Sequence, residues 1–339
     1  MGWDKAASSS NQKFDSQYRN TDCFFNLTID ERITNFRRLT DLPMDKIFRT
    51  YYGWMQLPLS LFGFVVTVIF ISTVHQAIKK RAVSRKCYVL LLNRSVGDLF
   101  TCIMFLACCA YCIFAREINR NVMAAFETFI AGTFWTSMVS YVALSLLKLF
   151  AVARPFDYRQ YVTMKRCVYL IIGSWIVFML IVTYALVMYS LTNFPLLSAW
   201  SGCKSETCIR FMYRSRNMLT VTAYLTTVIV FLLTVLLIKR AQRFVDSFRK
   251  DRSTSSGRPA TKLSSFPLWK LALNVSTFAC LYLFYVIWCL FMLLNRDMCF
   301  WMKNAPRLMW ILSFIRLCMM LRICLDPIIS FLTDLKVAF

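Results

Sequence analysis

Ionisable side chains inside apolar segments are the residues of this sequence best suited to chemistry. Arg322 and Asp326 lie in the apolar run 308–332, and Asp98 lies in the apolar run 89–115. Moving an ionised group out of water is costly, so such residues usually face the protein interior and find partners of opposite charge. Arg322 and Asp326 are four residues apart, which places them on one face of a helix, within reach of each other. The spacing predicts a buried ion pair.

Two carboxylates in an apolar environment could also perform acid–base catalysis. The segment 95–98 (SVGD) partly resembles the G-x-G-D signature of intramembrane aspartyl proteases. That mechanism needs two carboxylates that share one proton, whereas Arg322 beside Asp326 favours the ionised form of both acids. The chain has one histidine, His75, which disfavours histidine-based catalysis and most zinc sites. The sequence therefore indicates a protein that is not an enzyme and that holds no metal or other cofactor.

The composition indicates an integral membrane protein. The 339 residues are 58% hydrophobic and 17% charged, whereas average soluble domains have about 25% charged residues. Seven apolar runs each reach the roughly 20 residues that a helix needs to cross a bilayer. These runs are 54–74, 89–115, 122–152, 167–191, 217–238, 271–294 and 308–332. The predicted fold is all-α, a bundle of seven transmembrane helices.

The distribution of basic residues predicts the orientation of these helices. The net charge is +23, but the basic residues bracket the apolar runs and form no single face, which disfavours a nucleic-acid partner. The loops 77–86, 154–166 and 239–270 hold five, four and nine Lys/Arg, and the loops that alternate with them hold two each. By the positive-inside rule the basic loops are cytoplasmic. We therefore expect a multi-pass plasma-membrane protein with its N-terminus outside and its C-terminus in the cytoplasm.

These boundaries define the expected organisation of the chain. Residues 1–50 form an extracellular tail, in which the sequon at Asn26 fits glycosylation. Residues 51–333 form the transmembrane domain, which contains the basic third cytoplasmic loop at 239–270. Residues 334–339 form a short cytoplasmic tail.

Polar residues within the spans resemble motifs of rhodopsin-like (class A) G-protein-coupled receptors. In LLLNRSVGDLF, Asn93 precedes the intramembrane Asp98 by five residues, as in that family. The segment 145–158 (SLLKLFAVARPFDY) looks like the D-R-Y-x-A-V-x-x-P segment. Trp175 matches the fourth-span tryptophan, and 325–330 (LDPIIS) looks like N-P-x-x-Y. The resemblance covers all seven spans, and divergent nematode serpentine receptors are the most similar group.

The resemblance implies an internal polar network. In the family, the acids at Asp98 and Asp326 face each other beside the hydroxyl at Ser137 and hold a sodium ion. Arg322 departs from the family pattern, and its guanidinium could replace the sodium ion and bridge both carboxylates. We expect weak or absent sodium binding. The alternative is a static ion network that only fixes helix packing.

The resemblance also implies where a G protein and a ligand would bind. Lys148 stands at the position of the family arginine that meets the G protein, and with Arg154 it forms the expected coupling site, although Lys148 could also be a plain interfacial lysine. Arg316 could anchor an anionic ligand group, and an Arg316–Glu127 structural pair is the alternative. Ile130 replaces the amine-binding Asp, which disfavours a biogenic amine. The candidate ligand-binding residues are Arg316, Glu127, Ile130, Phe134, Tyr285 and Trp288.

Four cysteines lie in the predicted outer segments, and four allow three pairings. Met123 stands where the family has its third-span cysteine. We therefore favour Cys203–Cys208 within one outer loop and Cys23–Cys299 between the N-terminal tail and the last outer loop, with Cys112 as an alternative partner.

The expected function is that of a G-protein-coupled receptor. It would bind an extracellular peptide or small chemosensory molecule and activate a heterotrimeric G protein, with membrane lipids as its other partners. A polytopic transporter or channel is the alternative. Transporters usually show repeated halves and helices broken at Gly or Pro, whereas this chain has eight glycines and no repeat.

Overall fold

Seven long helices make up most of the chain. The computed structural model describes residues 42–79, 85–153, 163–203, 205–256, 268–297 and 300–338, and all regular structure in these ranges is helical. The long helices are α1 (Leu57–Lys79), α2 (Arg85–Phe114), α3 (Arg120–Ala153), α4 (Met164–Asn193), α5 (Arg210–Ser256), α6 (Leu268–Leu294) and α7 (Phe300–Ala338). Each contains a segment long and apolar enough to cross a membrane. The predicted all-α fold with seven helices long and apolar enough to span a membrane is confirmed, and the orientation of the termini stays a prediction.

The helices close into a ring. Neighbours pack in the order α1, α2, α3, α5, α6, α7 and back to α1, and α4 packs from outside against α3 and α2. Within their spans, 67% of α3 is buried but only 22% of α4. A helix satisfies its own backbone hydrogen bonds, so α4 can present bare apolar side chains to lipid, while α3 forms the centre of the bundle.

The helical domain begins earlier than the predicted boundary at residue 51. Leu42–Ile47 is α-helical, and Phe48–Trp54 continues as a π-helix towards α1. Met44, Phe48 and Tyr52 are four residues apart and are buried together against α2 and α3. The charged residues between them hide this apolar face from a hydropathy window. The earlier part of the predicted tail, with Asn26, lies outside the described residues.

Two segments predicted to be a loop and a tail are helical. α5 continues to Ser256, well into the predicted loop 239–270, and α7 continues to Ala338, through nearly all of the predicted tail 334–339. Lysine, arginine and glutamine favour helices as much as most apolar residues do, so a helix need not end where hydropathy falls.

The connection between α4 and α5 confirms one disulfide. Pro195–Ser201 forms a short helix with proline at its start, and Gly202 ends it in the left-handed conformation, φ 63°. The chain then turns through the Cys203–Cys208 disulfide, with 5.7 Å between the Cα atoms. The alternative partner Cys112 is wrong, because Cys112 is a free, buried thiol. The predicted Cys23–Cys299 pair lies outside the described residues.

Candidate functional site

Four ionised side chains from α2 and α7 meet at the centre of the bundle. Arg94 and Asp98 are four residues apart on α2, as Arg322 and Asp326 are on α7, so each pair lies on one helical face. Arg322 bridges both acids, with Nη1 2.5 Å from Asp98 Oδ1 and Nη2 2.6 Å from Asp326 Oδ2. Arg94 Nη2 lies 3.1 Å from Asp326 Oδ2, and Arg94 Nε lies 4.0 Å from Asp98 Oδ2. No side chain of the four is more than 6% exposed.

A tyrosine of α3 completes this group. The Tyr141 hydroxyl donates to Asp326 Oδ2 at 2.8 Å and accepts from Arg322 Nη2 at 2.9 Å. The Arg94 guanidinium lies over the Tyr141 ring, 4.6 Å from its centroid, a favourable cation–π arrangement. We call Arg94, Asp98, Tyr141, Arg322 and Asp326 the central charge cluster. It links α2, α3 and α7.

The structure confirms the predicted Asp98–Arg322–Asp326 contacts and adds two residues. Sequence reasoning missed Arg94, although its four-residue spacing from Asp98 gives the same signal as that of Arg322 and Asp326. The hydroxyl predicted to come from Ser137 comes from Tyr141, one turn further along α3. Ser137 is buried, but none of the described hydrogen bonds joins it to the cluster. The side chain of Tyr141 is longer than that of Ser137, so its hydroxyl reaches Asp326 although two guanidinium groups occupy the space around that carboxylate.

The central charge cluster does not fit a sodium ion. It holds two guanidinium groups and two carboxylates, so its formal charges already balance. A sodium ion would leave one positive charge in excess in an enclosed site, and such an unpaired charge is strongly disfavoured. Arg322 also occupies the space between the two acids.

We therefore expect the stability of the purified protein to be the same in sodium, potassium and choline chloride at equal ionic strength. The guanidinium of Arg322 already supplies the cation between the acids. The measurement is the thermal midpoint in detergent, with lithium chloride as a second small cation. Stabilisation by sodium over potassium would show that a vacant cation site exists.

A second polar contact joins two residues on which the family resemblance rests. Trp175 Nε1 of α4 donates to Asn93 Oδ1 of α2 at 2.9 Å, and Asn93 Nδ2 donates to Ser140 Oγ of α3 at 3.2 Å. Asn93 is one residue before Arg94 and faces α4 and α3. These bonds fix the rotation of α2 that turns Arg94 and Asp98 towards α7.

Arg316 and Glu127 form an ion pair in another part of the bundle. Arg316 Nη1 donates to Glu127 Oε1 at 2.7 Å, and the side chains are 1% and 21% exposed. The Arg316 guanidinium lies 4.6 Å from the ring centroids of both Tyr52 and Phe105. Its Nη2 is also 3.6 Å from Cys108 Sγ. The Arg316–Glu127 pair that the sequence offered as the alternative is present, and Arg316 as a ligand anchor stays a prediction.

The other candidate ligand residues fall into two groups. Phe134 and Tyr285 belong to one buried cluster, with ring centroids 5.7 Å apart, and Trp288 packs against it. Ile130 belongs to a different cluster with residues of α2 and α7. The structure thus brings three of the predicted residues together between α3 and α6, whereas Ile130, one turn before Phe134 on α3, packs towards α2 and α7.

The predicted G-protein contacts lie mostly outside what the structure describes. Lys148 is within α3 but its side chain is not described, and Arg154 follows the end of α3. The neighbouring Leu147 is buried against Cys167 of α4.

Comparison with known proteins gives no relative for this chain. No family model matches it, and a search of curated proteins finds no similar sequence.

Proposed function

We propose that this chain is a seven-helix membrane receptor that binds a ligand on the outside and activates a heterotrimeric G protein in the cytoplasm. The observation that carries the proposal is the central charge cluster. It joins α2, α3 and α7 through buried ionic contacts whose partners can exchange but cannot be solvated. Such a group favours a few discrete helix arrangements over continuous sliding, which is what a ligand-controlled switch needs.

The contacts around the cluster support a receptor over a transporter or channel. Phe278 and Tyr282 of α6 are buried beside the cluster, with the Phe278 and Tyr141 ring centroids 4.3 Å apart. α7 remains helical through Pro327. Transporters bind ions at the exposed ends of broken helices, whereas here the charges are already satisfied and bulky aromatic residues fill the adjacent space.

The extension of α5 supports a cytoplasmic partner. The apolar span of α5 ends at Leu237 and the helix continues to Ser256, a projection of about 28 Å at 1.5 Å per residue. Lys239, Arg240 and Arg243 are exposed on its first turns. A basic helix outside the membrane offers a rigid surface to an acidic protein partner.

The test is a screen of ligands in cells that report dissociation of G-protein subunits. We expect ligand-dependent activation by the full chain and its loss in Arg240→Glu/Arg243→Glu. Both residues are exposed, so surface expression should not change. The charge-preserving pair Arg240→Lys/Arg243→Lys is the control. Solute uptake or membrane current without G-protein activation would instead identify a transporter or channel.

A further inference from the structure

Arg216 of α5 carries a charge that pairs with no acid among the described side chains. Its Nε is buried and has no hydrogen-bond partner, and its guanidinium lies 4.7 Å from the centroid of the Tyr213 ring. The titratable groups that act most strongly on it are Tyr285, Tyr213, Tyr189 and Cys289. Phenols and thiols are neutral at physiological pH. Within the described ranges, no carboxylate forms an ion pair with Arg216.

The ring that Arg216 contacts, Tyr213, belongs to a chain of aromatic side chains from four helices. Tyr189 of α4 and Tyr213 of α5 hydrogen-bond through their hydroxyls. Tyr213 stacks on Trp301 of α7, with ring centroids 6.4 Å apart and planes 24° apart, and Trp301 meets Trp288 of α6 edge-on at 6.2 Å. We call Tyr189, Tyr213, Arg216, Tyr285, Trp288 and Trp301 the aromatic arginine site. It combines a guanidinium, phenol donors and broad apolar ring faces.

The charge balance of this region differs from that of the central charge cluster. Glu127 acts electrostatically on Tyr189 and Tyr285 of the site. Its carboxylate is already paired with Arg316. Among the side chains that the structure describes, the positive charge of Arg216 therefore has no carboxylate of its own. Arg216 is half-buried, and a charge partly withdrawn from water without a partner is unfavourable. Proteins keep such charges where a ligand or substrate supplies the partner.

We propose that the aromatic arginine site binds an organic carboxylate that has an aromatic or other apolar body. The guanidinium of Arg216 donates two parallel N–H···O hydrogen bonds to the carboxylate oxygens, which is the arrangement its planar fork favours. The tyrosine hydroxyls are further donors to the same oxygens, and the tryptophan and tyrosine faces contact the apolar body. Arg216 lies six residues after the start of α5, about 9 Å along the helix. This places the site near one end of the bundle, within reach of the surface.

The inference rests on the proposed receptor function for its physiological meaning, but its binding test does not involve a G protein. The probes are phenylacetate, indole-3-acetate and the dipeptide acetyl-Tyr-Phe, each compared with its neutral amide. We expect at least one acid, but not its amide, to raise the thermal midpoint of the purified full chain. A small organic acid and the C-terminus of a peptide both present a carboxylate. The probe that stabilises the protein shows which of the two classes of ligand the site prefers.

Variants locate the binding. Arg216→Gln is expected to weaken the responding acid by about 10- to 100-fold, the loss expected for a charge-assisted pair. Arg216→Lys should retain part of the affinity. Arg214→Gln is the matched control, because Arg214 is exposed and hydrogen-bonds only to a carbonyl oxygen, Leu293 O at 3.4 Å. If no acid stabilises the chain, or if Arg216→Gln binds it as tightly as the wild type, the inference is wrong.

A measurement without ligand provides an independent test. Since Arg216 has no acid to leave behind, Arg216→Gln should leave the thermal midpoint of the ligand-free protein unchanged or raise it. A large loss of stability would show that Arg216 is structural and would overturn the inference. Carboxylate binding without G-protein activation would overturn only the receptor proposal, whereas activation by neutral ligands alone would overturn only the carboxylate site.

Discussion

Arg322→Leu is expected to destabilise the folded chain by about 3–5 kcal/mol, the cost of removing one partner from a buried ionic group. The substitution leaves Asp98 and Asp326, at 6% and 1% exposed, with Arg94 as their one remaining cation. Arg94 Nε lies 4.0 Å from Asp98 Oδ2, too far for a hydrogen bond. One negative charge is then enclosed without compensation. The measurement is the fraction of monomer that survives heating in detergent, read by size-exclusion chromatography.

A second substitution tests whether charge balance is the cause. Arg322→Leu/Asp98→Asn removes one charge of each sign and leaves the Arg94–Asp326 pair, whose Nη2 and Oδ2 atoms are 3.1 Å apart. We expect the double variant to recover much of the stability lost in Arg322→Leu. Arg240→Leu, an exposed arginine on the extension of α5, is the control and should have little effect. A double variant no more stable than the single one would contradict the charge-balance explanation.

Glu127→Leu is expected to be the second most damaging substitution. It leaves the Arg316 guanidinium, 1% exposed, as a buried cation whose remaining contacts, among the described side chains, are aromatic rings and a thiol. The expected loss of stability is again about 3–5 kcal/mol. The measurement is the thermal midpoint of the purified protein, and Glu127→Gln, which retains a hydrogen-bond acceptor of the same shape, should be less affected.

The reverse substitution, Arg316→Met, should cost less, about 1–3 kcal/mol. The carboxylate that it leaves unpaired is 21% exposed and can regain water, and methionine fills much of the space between Tyr52 and Phe105. If Glu127→Leu and Arg316→Met lost the same amount of stability, the pair would contribute through its contact area and not through its charges.

Local spacing made part of the central charge cluster predictable. Arg322 and Asp326 are four residues apart, as Arg94 and Asp98 are, and this spacing alone brings members of each pair together on a helix. That Asp98 meets Asp326 followed from the family resemblance. Tyr141 could not be predicted, because a tyrosine in an apolar helix usually packs as a core aromatic residue. Its bond to Asp326 depends on how α3 and α7 are aligned.

Partners far apart in sequence were the hardest to predict. Glu127 and Arg316 are 189 residues apart, and the sequence could not decide whether they pair with each other or face a ligand. Arg216 stands in a short basic stretch with Arg210 and Arg214, and no local signal marks it as the one whose guanidinium turns towards the aromatic residues between the helices. The seven spans were predictable because apolar length is a local property, whereas the helical segment Leu42–Trp54 depends on packing against α2 and α3.

The equal numbers of positive and negative groups in the central charge cluster also bear on the electric field across the membrane. Moving one elementary charge through the full field changes the free energy by about 2.3 kcal/mol per 100 mV. If the two arginines and two aspartates move together with α2 and α7, no net charge crosses the field. The membrane potential then does almost no work on this movement, so the central charge cluster itself should respond little to depolarisation of the cell.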